Sequence, residues 1–99
     1  MKSLGEKLRE LRDARGLLLR EVAAQLEVDP SLLSKIERGE RTAKKEQVSK
    51  FAEILKVSKD ELLTLWLADQ VYDVIKDEDL AEKAMKAAGN KLKSAHRKK

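Results

Sequence analysis

The chain has 99 residues, of which 41% are hydrophobic, 40% charged and only 3% aromatic, and it carries a formal net charge of +4. That length admits one small core built from Leu, Val, Ile and Ala, and the balance is that of compact amphipathic helices, not of a disordered chain. The absence of cysteine excludes disulfides, thiolate zinc sites and thiol nucleophiles, and no apolar run approaches the roughly 20 residues of a membrane span, so a soluble, cytoplasmic protein is expected.

The first helix is predicted from about Ser3 to Arg15, with Ser3 and Glu6 as a capping box and Leu4, Leu8 and Leu11 as its buried stripe. The stretch from Arg20 to Gly39, REVAAQLEVDPSLLSKIERG, then reads as two short helices joined by a tight turn. Val22, Ala23 and Leu26 repeat at helical spacing, Val28 sits in the connector, and Leu33 and Ile36 resume the period. Asp29 followed by Pro30 marks the start of the second of these helices, because Asp29 can accept from orphan N–H groups while Pro30 lacks a donor that would be unused there. Gly39 ends it as a left-handed cap. Its outward face carries Ser31, Leu32, Ser34, Lys35 and Arg38, short polar groups and cations suited to a phosphate-lined groove. Periodicity alone leaves open an ordinary helical hairpin inside a bundle.

A fourth helix is predicted from about Lys45 to Leu55, burying Val48, Phe51, Ala52 and Leu55, and a fifth begins at a second Ser58–Glu61 capping box. The pattern of the fifth continues to about Lys76. After a break at Asp77, Glu78 and Asp79, a further helix is predicted from Leu80 to Ala88, ended by Gly89 and Asn90, with residues 91–99 as a basic, flexible tail. The fifth helix has more apolar residues than one face needs. Leu63, Leu67, Val71, Val74 and Ile75 line one stripe, and Leu62, Leu65, Trp66 and Tyr72 spread around the others. Either the last helix folds back over this surplus or a second subunit covers it.

Charge is segregated along the chain. From Met1 to Lys45 there are eleven Lys or Arg against eight Asp or Glu, whereas Asp60 to Lys83 holds eight acidic residues against Lys76 and Lys83. A basic front half is the electrostatic footprint of a phosphate binder, and the acidic stretch is expected to face away from it. Enzymatic readings find little to rest on. His96 has no carboxylate or thiol neighbours in sequence, and Gly5, Gly16, Gly39 and Gly89 are scattered singly and form no phosphate loop. No metal or cofactor is expected.

From Leu4 to Leu65 the chain resembles the lambda-repressor-like, or Xre-type, helix-turn-helix family. The resemblance rests on LRDARG from Leu11 to Gly16, VAAQL in the first motif helix, SKIERG around Glu37 and the later FAEILKVSKDEL. It implies an all-α, five-helix DNA-binding domain, here residues 1–67, followed by a helical extension over residues 68–90. It also implies an ion pair between Arg12 and Glu37, base reading by Ser31, Leu32 and Lys35 with Pro30 at the groove entrance, and phosphate contacts from Arg38, Arg41, Thr42 and Lys44, with Ser34 as a lesser one. The sequence departs from the family in three places. Leu18 and Leu19 stand where a polar cap and a phosphate-gripping glutamine are usual, Glu27 replaces a turn glycine, and Ala43 replaces a proline.

The function implied is a sequence-specific, non-enzymatic transcriptional regulator, a repressor or autoregulator in the style of restriction-modification controllers. It would bind an inverted-repeat operator in double-stranded DNA as a homodimer, with Trp66, Val71, Tyr72 and Ile75 in the seam. The competing reading is an antitoxin-type interaction module whose C-terminal helices hold a protein partner; a third is a coactivator-like adaptor.

Overall fold

The computed structural model describes residues 2–97, and all regular structure among them is helical. The elements are α1 (Leu4–Ala14), α2 (Leu19–Leu26), α3 (Pro30–Glu37), α4 (Lys45–Leu55), α5 (Lys59–Ile75) and α6 (Ala81–Arg97). The chain divides into two compact units, Met1–Asp69 and Gln70–Lys99.

In the first unit the apolar positions of five helices close on one core. Leu8, Val22, Leu33, Val48, Phe51, Leu55 and Leu62 are essentially inaccessible, and Phe51 is the largest of them. Each such side chain contributes about 1.5–3 kcal/mol of transfer free energy, so this cluster is the main source of the unit's stability. Ala23, wholly buried, keeps the α2 side of that core small.

Helix starts follow the local chemistry. Ser3 Oγ accepts from the Glu6 N–H at 3.3 Å while a Glu6 carboxylate oxygen accepts from the Ser3 N–H at 3.2 Å, and this bonding holds the Glu6 carboxyl below its ordinary range. Leu18 and Lys44, which lack an accepting side chain, begin α2 and α4 with half of that arrangement: Glu21 and Gln47 each accept from the cap residue's N–H at 2.8 Å. Leu4, at the start of α1, also donates its N–H to Asp69 Oδ2 at 2.9 Å, so a side chain of α5 completes that cap from 65 residues away.

The ends of α1 to α4 share one device. Gly16, Glu27, Gly39 and Lys56 all have positive φ, at 66°, 60°, 77° and 54°. The following residue in each case donates back to a carbonyl in the last turn: Leu17 to Arg12, Val28 to Ala23, Glu40 to Lys35 and Val57 to Ala52, at 2.8–3.0 Å. These are Schellman closures, and two of the four rest on a residue with a Cβ. The turn after α2 therefore keeps the geometry a glycine would give it, with Glu27 bearing the strain.

The second unit corrects the expected end of the chain. α6 does not stop at Gly89 and Asn90 but continues through both to Arg97, so most of the presumed flexible tail is helix; Lys98 and Lys99 lie outside the described residues. Gly89 has no positive φ and costs a helix interior only about 1 kcal/mol against alanine, which its helix-forming neighbours Ala87, Ala88, Lys91 and Leu92 outweigh. α6 also leaves the surplus apolar surface of α5 uncovered, since Val71, Tyr72 and Val74 are exposed, as are Leu80, Met85 and Leu92. No described helix is long and apolar enough to cross a membrane.

Candidate nucleic-acid interface

α3 is presented by contacts on its inner side. Leu33 and Ile36 anchor it in the core, and Asp29 caps it by accepting from the Ser31 N–H at 3.0 Å; that hydrogen bond and a second from the Ser31 hydroxyl hold the Asp29 carboxyl below its usual range. At its far end Arg12 grips Glu37 with a two-pronged fork, Nε to Oε2 at 2.8 Å and Nη2 to Oε1 at 3.1 Å. Arg12 Nη1 also donates to the Leu17 carbonyl at 3.0 Å, tying the end of α1, the approach to α2 and the end of α3 into one joint. The two side chains keep only 15% and 7% of their surface, and the bond to Glu37 raises the Arg12 pKa further above its ordinary value. Glu37 sits at the C-terminal end of α3, where the helix dipole disfavours an anion, so the guanidinium is what makes that position tolerable.

Gly5 brings α1 against the same end of α3. A Cβ at that position would lie 2.5 Å from the carbonyl oxygens of both Ile36 and Glu37, closer than any side chain can approach. Nothing in the sequence pattern distinguished Gly5 from the other glycines.

With its inner side fixed, α3 exposes Pro30, Ser31, Lys35 and Arg38; Leu32 and Ser34 are half-buried. Leu32 rests partly on the core, so only its outer surface is available for an apolar contact. The segment between α3 and α4 exposes Arg41, Thr42 and Lys44. Ala43 between them is buried, and its carbonyl accepts from the Trp66 indole N–H at 2.7 Å. That buried residue and its indole bond clamp the segment from inside and leave Thr42 and Lys44 outside on either side of the clamp. Trp66, assigned from sequence to a subunit seam, is thus half-buried against its own core with the ring N–H committed to the chain itself. Of the other residues placed in the seam, Val71 and Tyr72 are exposed and Ile75 is half-buried.

The cations differ in readiness. Arg38 donates to Glu40 and to Ser34 Oγ, and the bond to Glu40 raises the Arg38 pKa while lowering that of Glu40. Sequence reasoning missed Glu40 as a partner, although its place just beyond Gly39 puts it within reach. The Arg38 and Glu40 side chains are both substantially exposed, and an exposed pair of this kind yields readily to a stronger anion. Lys35, Arg41 and Lys44 form no ion pair among the described residues. The result is an exposed row of donors along α3 and its following segment, set on a rigid support. Among the described residues no group of three or more His, Cys, Asp or Glu could hold a metal ion.

Comparison with known proteins agrees with this geometry. Residues 3–65 match the family described as "Helix-turn-helix domain". The protein named "Uncharacterized HTH-type transcriptional regulator RghRB" of Bacillus subtilis (strain 168) is 39% identical over 64 residues, covering 64% of this chain and 46% of that protein, so the chain spans about half the length of that curated relative. Among solved structures, the restriction-modification controller protein C.AhdI from Aeromonas hydrophila superposes with a TM-score of 0.56 at 36% identity, over 60% of this chain and 89% of that one. The clp gene regulator ClgR from Corynebacterium glutamicum gives 0.59 at 32% identity, over 80% and 83%. With the matched family spanning more than half of its residues and ending where the core helix α5 is seated, the chain belongs to the lambda-repressor-like, Xre-type helix-turn-helix family of transcriptional regulators.

Proposed function

We propose that this chain regulates transcription by docking α3 in the DNA major groove, with Ser31, Lys35 and the outer surface of Leu32 facing base edges and Pro30 at the groove entrance. Arg41, Thr42 and Lys44 hold the flanking phosphates, and Arg38 and Ser34 join them when a phosphate displaces Glu40. The observation that carries this reading is the exposed Lys35 row on a helix fixed from behind by Leu33, Ile36 and the Arg12–Glu37 fork. Lys35 can donate to guanine O6 and N7, and Leu32 can touch a thymine methyl. Two copies acting together, joined through the second unit with Val71, Tyr72 and Ile75 in the seam, would read an inverted repeat with half-sites about 34 Å apart. Action as a repressor or autoregulator would be the role that C.AhdI is named for, control within a restriction-modification system.

Selection of binding sites from random DNA tests the base-reading part. The intact chain should return an inverted repeat. Lys35→Ala should lose about 1–3 kcal/mol on that site and relax the preference at one base pair of each half. An unchanged motif from the variant would remove Lys35 from the base readers.

A further inference from the structure

The second unit holds two features that the DNA-docking surface does not use. The first is apolar. Tyr72 and Val74 are 65% and 76% exposed, Leu80 and Leu92 similarly so, and α6 carries Ala81, Met85, Ala88, Leu92 and Ala95 at the alternating four- and three-residue spacing of a helix seam. The second is electrostatic. Residues 73–82 contain five carboxylates against the single cation Lys76, which is already paired with Asp73 at 3.6 Å, whereas residues 83–97 contain five Lys or Arg and no carboxylate. Among the described residues no ion pair joins Lys83, Lys86, Lys91 or Lys93 to any carboxylate.

A surface that meets its own copy across a two-fold axis must be self-complementary, because each contact of residue i with residue j is repeated as j with i. Two such units placed parallel would bring basic end to basic end and acid to acid. Turned antiparallel, each basic end lies along the partner's acidic segment, twice, with the apolar stripes between them. Nucleic acid fits the same cations less well, because phosphates would leave the apolar stripe of α6 uncovered. We infer that the occupant of this surface is a second copy of the chain, held antiparallel by its segregated charge, so that the unit selects its own kind and association depends on ionic strength. The inference rests on the dimer reading above and adds the orientation and the force that sets it.

Sedimentation equilibrium of the intact chain across a salt series, with paired charge-reversal variants, tests it. The dimer should weaken as salt rises and the screening length falls from about 10 Å at 0.1 M towards 3 Å at 1 M. Lys91→Glu/Lys93→Glu and Asp73→Lys/Asp77→Lys should each dimerise at least about tenfold more weakly than the parent. Mixed together, the two variants should recover parent-like affinity as a heterodimer, because both contacts then pair opposite charges. Circular dichroism checks that α6 persists. If a reversal variant loses helix, the neutral Lys91→Gln/Lys93→Gln protein and the parent's salt series carry the same test. Variants that dimerise as tightly as the parent, or a mixture that stays monomeric, overturn the antiparallel arrangement while leaving a dimer in place. Dimers that persist while DNA binding weakens would give the α6 cations to phosphate, which also overturns it. A parent that is monomeric at micromolar concentration overturns both this inference and the dimer reading.

Discussion

Arg12 and Glu37 show how two side chains can set the pose of a helix. Their fork is nearly desolvated, and each partner is the other's means of remaining charged away from water. Removing either alone leaves an uncompensated charge, so Arg12→Ala or Glu37→Ala should each lower stability by about 3 kcal/mol, the low end for a buried pair because Arg12 keeps some solvent. Thermal melts of both single variants and the double variant should show a double loss well short of the sum; strictly additive losses would mean that the side chains act independently. At the proposed DNA-facing surface the contrast lies between Arg41, which has no ion-pair partner among the described residues, and Arg38, which has Glu40. Arg41→Ala should weaken specific and non-specific DNA about equally and flatten the log–log salt dependence by about one unit. An unaltered slope would take Arg41 out of the phosphate contacts. The pairing of Arg12 with Glu37 came from family resemblance, since a contact between residues 25 apart leaves no trace in periodicity. The pairing of Arg38 with Glu40 had only the bend at Gly39 to announce it.

Helices were the most legible level. Their stripes follow a 3.6-residue period and their starts follow Ser3, Asp29 with Pro30, and Ser58, all short-range signals. Their ends were less legible, because the left-handed residue closing α2 and α4 is a Glu and a Lys where glycine is the usual mark. Core packing of the next residue, Val28 or Val57, decides there against the residue's own preference. The same logic failed in the opposite direction at Gly89, a glycine that ends nothing. Two substitutions separate conformational from steric roles. Glu27→Gly should raise stability by up to about 1 kcal/mol, by relieving a strained φ at some cost in chain entropy. Gly5→Ala, although alanine is the better helix former, should lower it by about 1–3 kcal/mol because the new methyl meets two backbone carbonyls that cannot swing aside. Denaturant melts check both, and a neutral Gly5→Ala would show that α1 can slide over the end of α3.

At the scale of the whole molecule, family resemblance put the end of the helix-turn-helix domain at Leu65 to Leu67, and the first unit extends to Asp69. The difference comes from two contacts with no local signature, Trp66 to the Ala43 carbonyl and Asp69 to the Leu4 N–H. A chain cut after residue 70 should therefore fold with nearly the parent's cooperativity, and bind a single half-site weakly and without two-fold cooperativity. A chain cut after residue 65 loses both contacts and should melt at a distinctly lower temperature. Differential scanning calorimetry of the two fragments checks this, and equal melting temperatures would show that neither contact matters to the core.

The Asp69 cap also orders events in time. α1 leaves the ribosome well before α5, yet one of its opening amides finds its acceptor only when a residue 65 positions later has been made and seated. Closing a loop of that length costs roughly 4 kcal/mol of chain entropy, so the bond belongs to the late, downhill part of folding and not to its nucleus. The Leu4 amide proton thus becomes a clock for assembly: it should be among the last in the core unit to gain protection from deuterium exchange during refolding, and among the first to lose it when α5 lifts away.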